Sequence, residues 1–215
     1  MFKKILLILS MVLIVLTASC KKKEEKPQDE AVAPENQQQE VLDEGEDVYK
    51  NKVAFTIEMQ DGGVMKGELY PDVAPETVKN FMALCKDKFY DGLIFHRVIE
   101  DFMIQGGGFD DEMEMKESKS IKGEFLTNGF SNPLKHERGV ISMARTDEPD
   151  SASCQFFIMH KDAPHLDGEY AAFGKITEGL DIIDEIASVE TGIYEGIMKD
   201  VPKEAQVIKT ITIGK

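Results

Sequence analysis

The sequence predicts a mainly β protein, a closed antiparallel barrel capped by two α-helices. Short apolar segments recur between about residues 53 and 213, each bounded by polar or glycine-rich stretches, and this pattern is typical of many short strands. Only two segments place apolar residues at helical spacing, one early and one late. Because closing a sheet into a barrel leaves no strand edge unpaired, we expect the strands to close and the two helices to cap the ends.

A hairpin and a helix are the first predicted elements. Residues Ala54–Met59 and Val64–Tyr70 alternate roughly between apolar and polar, and the Asp-Gly-Gly sequence at 61–63 provides a turn between them. Pro75 then suits a first helical position, and apolar residues follow at helical spacing as far as Cys85. We therefore expect the first helix to begin at Pro75.

The later elements are short apolar runs and a second helix over Gly179–Ser188, where apolar residues again recur at helical spacing. The acidic stretch 110–122 has no clear period and is predicted to be a surface loop. Gly106–Gly108 lacks the Lys-Ser/Thr pair of a phosphate-binding loop, so a turn with close backbone approach is predicted there. The other predicted strands are Leu93–Ile99, Phe102–Gln105, Val140–Ala144, Phe156–His160, Ala172–Ile176 and Val207–Ile213.

The N-terminus has the pattern of an export signal. Lys3 and Lys4 precede an apolar run over 5–16 that is shorter than the roughly 20 residues needed to span a bilayer. The sequence Leu16–Cys20 resembles a bacterial lipobox, which predicts a lipoprotein signal peptide over 1–19 and lipidation of Cys20. An ordinary signal peptide with an incidental cysteine is the alternative.

Residues 20–50 are predicted to be a disordered, charged tether, because Lys, Glu, Gln, Pro and Ala dominate and large apolar residues are almost absent. The folded domain is predicted over 51–215. Together with the signal, this organisation predicts a protein anchored by its lipid in a bacterial cell envelope, outside the cytoplasm. Whether it lies on the periplasmic face or the cell surface stays open.

Charge and composition limit the possible partners and cofactors. The formal net charge is −15, which disfavours nucleic acid because phosphate binding needs clustered cations. The four histidines show no metal-ligand spacing, so no metal is predicted. Cys85 and Cys154 are predicted to be small buried apolar residues, although a disulfide between them stays possible in an exported protein.

The chemistry is concentrated in Phe95–Ile99 and the segment 102–107. Arg97 and Gln105 lie there among large apolar residues, and no acid, thiol or serine is placed as a nucleophile. This combination suits a reaction without a covalent step, in which an apolar pocket holds the substrate while two polar groups contact its backbone.

These segments resemble the cyclophilin family of peptidyl-prolyl isomerases. The resemblance extends over about 53–213 and includes Val140–Arg145, Gln155–Ile158, His165–Gly168 and the segment 170–174; Met143–Thr146 in particular resembles bacterial members. It implies an eight-stranded barrel, X-Pro isomerisation without a cofactor, proline-containing polypeptides as clients, and a monomer. His165 stands where many eukaryotic members carry Trp, which leaves cyclosporin sensitivity open.

The resemblance also implies the role of each site residue. Arg97 matches the electrostatic catalyst, and Gln105 matches the amide that hydrogen-bonds the substrate backbone. Ala144 and Arg145 match the edge along which residues before the proline extend, with Gln155 beginning the neighbouring strand. The residues that match the proline pocket are Phe102, Met103, Phe157, Leu166 and Tyr170.

The function predicted from the sequence is therefore isomerisation of X-Pro bonds in exported or envelope proteins, assisting their folding. Two alternatives stay open. The same pocket could hold proline-containing segments without turnover, or the protein could be a surface-exposed lipoprotein whose tether and acidic face engage a partner.

Overall fold

The computed structural model describes residues 49–214, so the predicted signal peptide, Cys20 and nearly all of the tether lie outside the described residues. The helices are α1 (Pro75–Lys86) and α2 (Leu180–Ala187), and neither is long and apolar enough to cross a membrane. The strands are β1 (Val53–Met59), β2 (Val64–Leu69), β3 (Leu93–Ile99), β4 (Met103–Asp110), β5 (Val140–Met143), β6 (Phe156–Met159), β7 (Ala172–Glu178), β8 (Thr191–Tyr194), β9 (Met198–Pro202) and β10 (Ile208–Ile213).

Eight of the strands form one antiparallel sheet in the order β10-β1-β2-β7-β5-β6-β4-β3. Its two outer strands, β10 and β3, meet through a bridge between Ile94 and Val207. The backbone N–H of Phe95 also donates to the carbonyl of Gln206 at 3.0 Å. The sheet is thus a nearly closed barrel with two helices, and the predicted fold class is confirmed.

An aromatic cluster joins helix α1 to the barrel. The ring of Phe81 lies 6.0 Å from Phe55, 5.6 Å from Phe156 and 5.2 Å from Phe173, measured between centroids. These three partners come from β1, β6 and β7 and are buried. Helix α2 adds buried Ile183 and Ile186 to the same core.

Strand β6 is buried on both faces, and this places the site. Successive side chains of a strand point to opposite faces, and here Phe156 and Ile158 join the barrel core. Phe157 and Met159 instead join a second apolar cluster outside it. Both faces of β6 are therefore covered, which explains its continuous apolar sequence.

The Gly106–Gly108 prediction is wrong in one respect, because these glycines lie inside β4 and not in a turn. The close approach does occur: a Cβ at Gly106 would lie 2.9 Å from the Ile94 carbonyl oxygen. Gly107 has φ +83° and would meet Tyr90 and Phe156. The glycines let an irregular strand pack against aromatic rings where any side chain would clash.

Strands β8 and β9 were not predicted. They form a separate two-stranded sheet over 191–202, beyond the second helix. Two single turns of 3₁₀ helix, Leu126–Asn128 and Pro164–Leu166, also went unpredicted. Cys85 and Cys154 are buried free thiols, as predicted, and form no disulfide.

Candidate active site

Arg97 and Gln105 face each other across neighbouring strands. Strand β3 pairs with β4 so that Arg97 lies opposite Gln105, and Arg97 Nη1 donates to Gln105 Oε1 at 3.4 Å. Gln105 Nε2 in turn donates to Gln155 Oε1 at 2.9 Å. On its other side, Arg97 Nε lies 3.9 Å from Asp200 Oδ2. The guanidinium is thus held between an amide chain and a carboxylate.

A pocket of about 250 Å³ opens beside this pair. Its walls are mostly apolar, and they come from β3 to β6 and from the segment that follows β6. The pocket is lined by Arg97, Phe102, Met103, Gln105, Ala144, Arg145, Phe157, Leu166 and Tyr170. The polar groups therefore stand against a cavity shaped for a bulky apolar group.

The ring of Phe157 is fixed from two directions. The imidazole of His136 stacks on it with centroids 6.0 Å apart and an angle of 17° between the planes. Tyr170 meets it edge-on at 5.7 Å. Such a ring has little freedom to turn, so the pocket keeps its shape without a ligand.

Behind Phe157, His136 joins a buried hydrogen-bonded chain. Its Nδ1 lies 3.1 Å from Asp167 Oδ1, and its Nε2 lies 3.0 Å from Ser142 Oγ. Because a carboxylate can only accept, Nδ1 carries the proton and Nε2 accepts from the Ser142 hydroxyl. Burial lowers the pKa of His136, against the opposing effect of Asp167, so the imidazole is neutral at pH 7.

The guanidinium of Arg145 is held by contacts within the protein. Its Nε and Nη2 donate to the Glu169 carbonyl at 3.1 and 3.0 Å. The same group lies over the ring of Phe125 at 4.9 Å and over that of Tyr170 at 4.7 Å. These contacts hold Arg145 in place as part of the pocket wall.

All the predicted catalytic and substrate-binding residues except Gln155 line the pocket. Gln155 lies behind Gln105, which it orients by accepting a hydrogen bond, and it lines a neighbouring cavity. The prediction missed His136, Asp167 and Asp200, which support Phe157 and Arg97. Asp167 follows Leu166 in a segment that the prediction used, but His136 lies 31 residues away in sequence, so their pairing had no local signal.

The arrangement can hold an apolar ring and place donors beside the polar backbone attached to that ring. Among the described residues that line the pocket there is no acid, thiol, serine or lysine. Within residues 49–214, no three His, Cys, Asp or Glu side chains are grouped as metal ligands would be. A nearly closed antiparallel barrel with an arginine and an amide beside an apolar pocket is the architecture of a protein that binds an apolar group without a covalent bond.

Comparison with known proteins gives the class a name. Residues 54–213 match the family model described as cyclophilin type peptidyl-prolyl cis-trans isomerase/CLD. Peptidyl-prolyl cis-trans isomerase B of Escherichia coli strain K12 is 44% identical over 154 residues, covering 68% of this chain and 91% of the relative. The isomerase B of Bacillus subtilis strain 168 is 41% identical over 146 residues, covering 68% of this chain and 94% of the relative.

Solved structures agree. A cyclophilin type isomerase from Cryptosporidium parvum has a TM-score of 0.63 at 28% identity, covering 77% of this chain and 99% of its own. A second structure of that protein, with a TM-score of 0.62 at 28% identity, was determined in the presence of the dipeptide Ala-Pro, covering 75% of this chain and 99% of its own. The chain belongs to the cyclophilin family and is a peptidyl-prolyl cis-trans isomerase.

Proposed function

We propose that the protein isomerises X-Pro bonds in exported or envelope proteins of a bacterium, acting as a monomer held outside the cytoplasm by a lipid on Cys20. The catalytic part of this proposal rests on the Arg97–Gln105 pair at the rim of an apolar pocket. The location is supported by the charged and apolar pattern of residues 1–19 before Cys20. The similar isomerases of two bacteria support the bacterial assignment.

Arg97 is the electrostatic catalyst in this proposal. Rotation of an X-Pro bond faces a barrier of about 20 kcal/mol because resonance joins the nitrogen to the carbonyl. A guanidinium beside the prolyl nitrogen favours the twisted, pyramidal form in which that resonance is lost. Acceleration from tens of seconds to milliseconds is roughly 10⁴-fold, or about 5.5 kcal/mol.

Gln105 positions the substrate carbonyl. A primary amide has two N–H donors, and Gln105 uses one of them toward Gln155 at 2.9 Å. The second is available to the substrate. Its oxygen accepts from Arg97 at 3.4 Å, so a substrate that binds the amide is also brought toward the guanidinium.

The proline ring occupies the pocket over Phe157, and the residues before it extend along Ala144 and Arg145. The apolar walls of Phe102, Met103 and Leu166 suit such a ring. The Cryptosporidium parvum structure determined in the presence of Ala-Pro supports proline-containing peptides as the ligand class. The electrostatic effect of Arg97 is strengthened wherever the bound ring excludes water.

Refolding of a protein whose slow phase is proline isomerisation tests the proposal. The wild-type protein should accelerate the slow phase, and Arg97→Ala should lose most of that acceleration. Arg97→Lys keeps the charge without the planar fork and should recover only part of it. A protein that binds the unfolded client but leaves the slow phase unchanged would be a binding module, and partner binding independent of Arg97 would indicate an interaction lipoprotein.

The anchor is tested separately in a bacterial host fed an alkyne-labelled fatty acid. Wild-type protein should incorporate the label and fractionate with membranes. Cys20→Ser should lose both properties, whereas Cys85→Ser should keep them. Label-free wild-type protein released into a soluble fraction would favour an ordinary signal peptide.

A further inference from the structure

The hairpin of β8 and β9 is a well-defined structure outside the barrel. Glu195 and Gly196 have φ of 47° and 72°, and the Ile197 N–H donates to the Tyr194 carbonyl at 3.1 Å. Two consecutive positive φ values with this bond make a type I′ turn, the tight turn whose twist matches that of paired strands. The tip residues are therefore held in place.

The tip exposes large apolar side chains. Ile197 is 80% exposed and Ile193 is 64% exposed. Isolated apolar residues on a surface are ordinary, but Ile197 lies on a defined turn beside a binding pocket, where its exposed side chain is open to a ligand. Side chains this exposed do not contribute to the stability of the barrel core.

Only part of the tip faces the active site. A cleft of about 480 Å³ lies between the hairpin and strands β3 and β4. On the hairpin side it is lined by Ile197, Met198, Lys199 and Asp200. We call this the hairpin cleft. The other lining residues are His96, Arg97, Gln105, Phe109 and Gln155.

The hairpin cleft adjoins the proline pocket. Arg97 and Gln105 line both cavities, and Arg97 is tied to the hairpin by its 3.9 Å contact with Asp200. In the binding mode proposed above, a polypeptide that enters along Ala144 and places a proline in the pocket leaves on the side of Arg97. Its next residues then pass the cleft.

We propose that the hairpin cleft binds an apolar side chain of the client shortly after the proline, and thereby sets sequence preference. This rests on the proposed function. The large apolar residues that line the cleft are Phe109, Met198 and Ile197. The side chain of Ile197 is exposed, and a bound ligand would cover it. On the other flank, the cavity beyond Ala144 has a single large apolar side chain, Met115, among its described lining residues, and it is otherwise largely polar. An apolar side chain is therefore favoured after the proline and not before it.

The test compares kcat/KM for three peptides with one Ala-Pro bond: a polar host, the host with Leu two residues after the proline, and the host with Leu two residues before it. The wild-type protein should prefer Leu after the proline by roughly five- to tenfold, as partial burial of one aliphatic side chain in an open cleft predicts. Ile197→Ser should reduce this ratio to about one. Ile193→Ser, on the same hairpin but outside the cleft lining, should keep it.

Equal rates for all three peptides, or a ratio that survives Ile197→Ser, would overturn the inference. A preference for Leu before the proline that Ile197→Ser abolishes would also contradict it, because the cleft would then serve the other flank. If the wild-type protein accelerates none of the peptides, the isomerase itself fails and the inference falls with it. Both substitutions are at exposed positions, so ratios are compared between folded proteins.

Discussion

At the scale of single residues, His96 shows how the barrel constrains a side chain next to the catalyst. It precedes Arg97 on β3 and is 3% exposed, with its ring 4.7 Å from that of Phe109. Burial lowers the pKa of His96 from 6.5 to about 4. The imidazole is neutral at pH 7, so it adds no positive charge beside the guanidinium.

This pKa predicts a loss of stability in acid. A histidine whose pKa is lower in the folded than in the unfolded state stabilises the fold fully above the unfolded pKa near 6.5. That contribution is lost as the pH falls from about 6.5 to about 4, and its full size is about 3 kcal/mol. Urea unfolding at pH 7 and pH 4.5 measures it, with His136 acting in the same direction.

His96→Phe is the matched variant, since it keeps an aromatic ring beside Phe109 and removes the titration. The difference in unfolding free energy between pH 7 and pH 4.5 should become smaller in this variant than in the wild type. An unchanged pH dependence would contradict a neutral, buried His96.

Arg97 and Gln105 were accessible from the sequence itself, because they are the two polar groups among large apolar residues in one short segment. The pocket residues Phe102, Met103 and Phe157 could be assigned only through the resemblance to a family. Asp200 could not be found, since it lies on a hairpin that the sequence did not predict and contacts Arg97 only after the fold brings β9 beside β3.

At the scale of elements, helix α1 shows what local sequence predicts and what it cannot. Pro75 fixed its first residue correctly. Its N-cap residue, Ala74, has no side-chain acceptor for the free N–H groups of the first turn. Glu124, 47 residues from Thr77, accepts instead: its Oε1 lies 3.0 Å from the Glu76 nitrogen and its Oε2 lies 2.8 Å from the Thr77 nitrogen.

Glu124→Gln should therefore destabilise the protein by about 1–3 kcal/mol. The amide has only one acceptor oxygen for two N–H groups and lacks the charge that a helix N-terminus favours. Glu124 is 2% exposed, so water cannot replace the lost bond. Unfolding in urea measures the change, with the exposed Glu112→Gln as control; equal stability of the two variants would contradict a capping role.

The sequence failed to predict elements whose conformation depends on contacts with distant parts of the chain. The hairpin of β8 and β9 lies outside the barrel, so neither of its faces has the apolar alternation of a core strand. The glycines of β4 resembled a turn because the reason for them is the approach of Ile94 and Phe156. The strands of the barrel were predictable because one or both faces are buried in the core.

At the scale of the whole molecule, the reactivity of the two buried thiols measures how readily the nearly closed barrel unfolds. Cys85 is 5% exposed and Cys154 is 1% exposed, and burial raises the pKa of the Cys85 thiol. In a Cys20→Ser protein, both should react slowly with a thiol reagent and become fast only in urea that unfolds the barrel.

Single Cys85→Ser and Cys154→Ser variants separate the two rates. Cys85 belongs to the core that holds the sheet together, and the Cys154 carbonyl accepts from the core residue Tyr90 at 2.9 Å, so their urea dependences should coincide. Fast labelling of either one in the native protein would indicate that its part of the barrel opens independently.

The central claim for the whole molecule is that a rigid barrel holds Arg97 against a pocket where a proline bond is twisted. Exchange NMR on an Ala-Pro peptide tests it most directly, because rate and binding are read in one sample. The wild-type protein should accelerate cis–trans exchange, and Arg97→Ala should lose about 10²-fold or more of that acceleration while still binding the peptide. Exchange that remains as fast with Arg97→Ala as with the wild type would contradict the account.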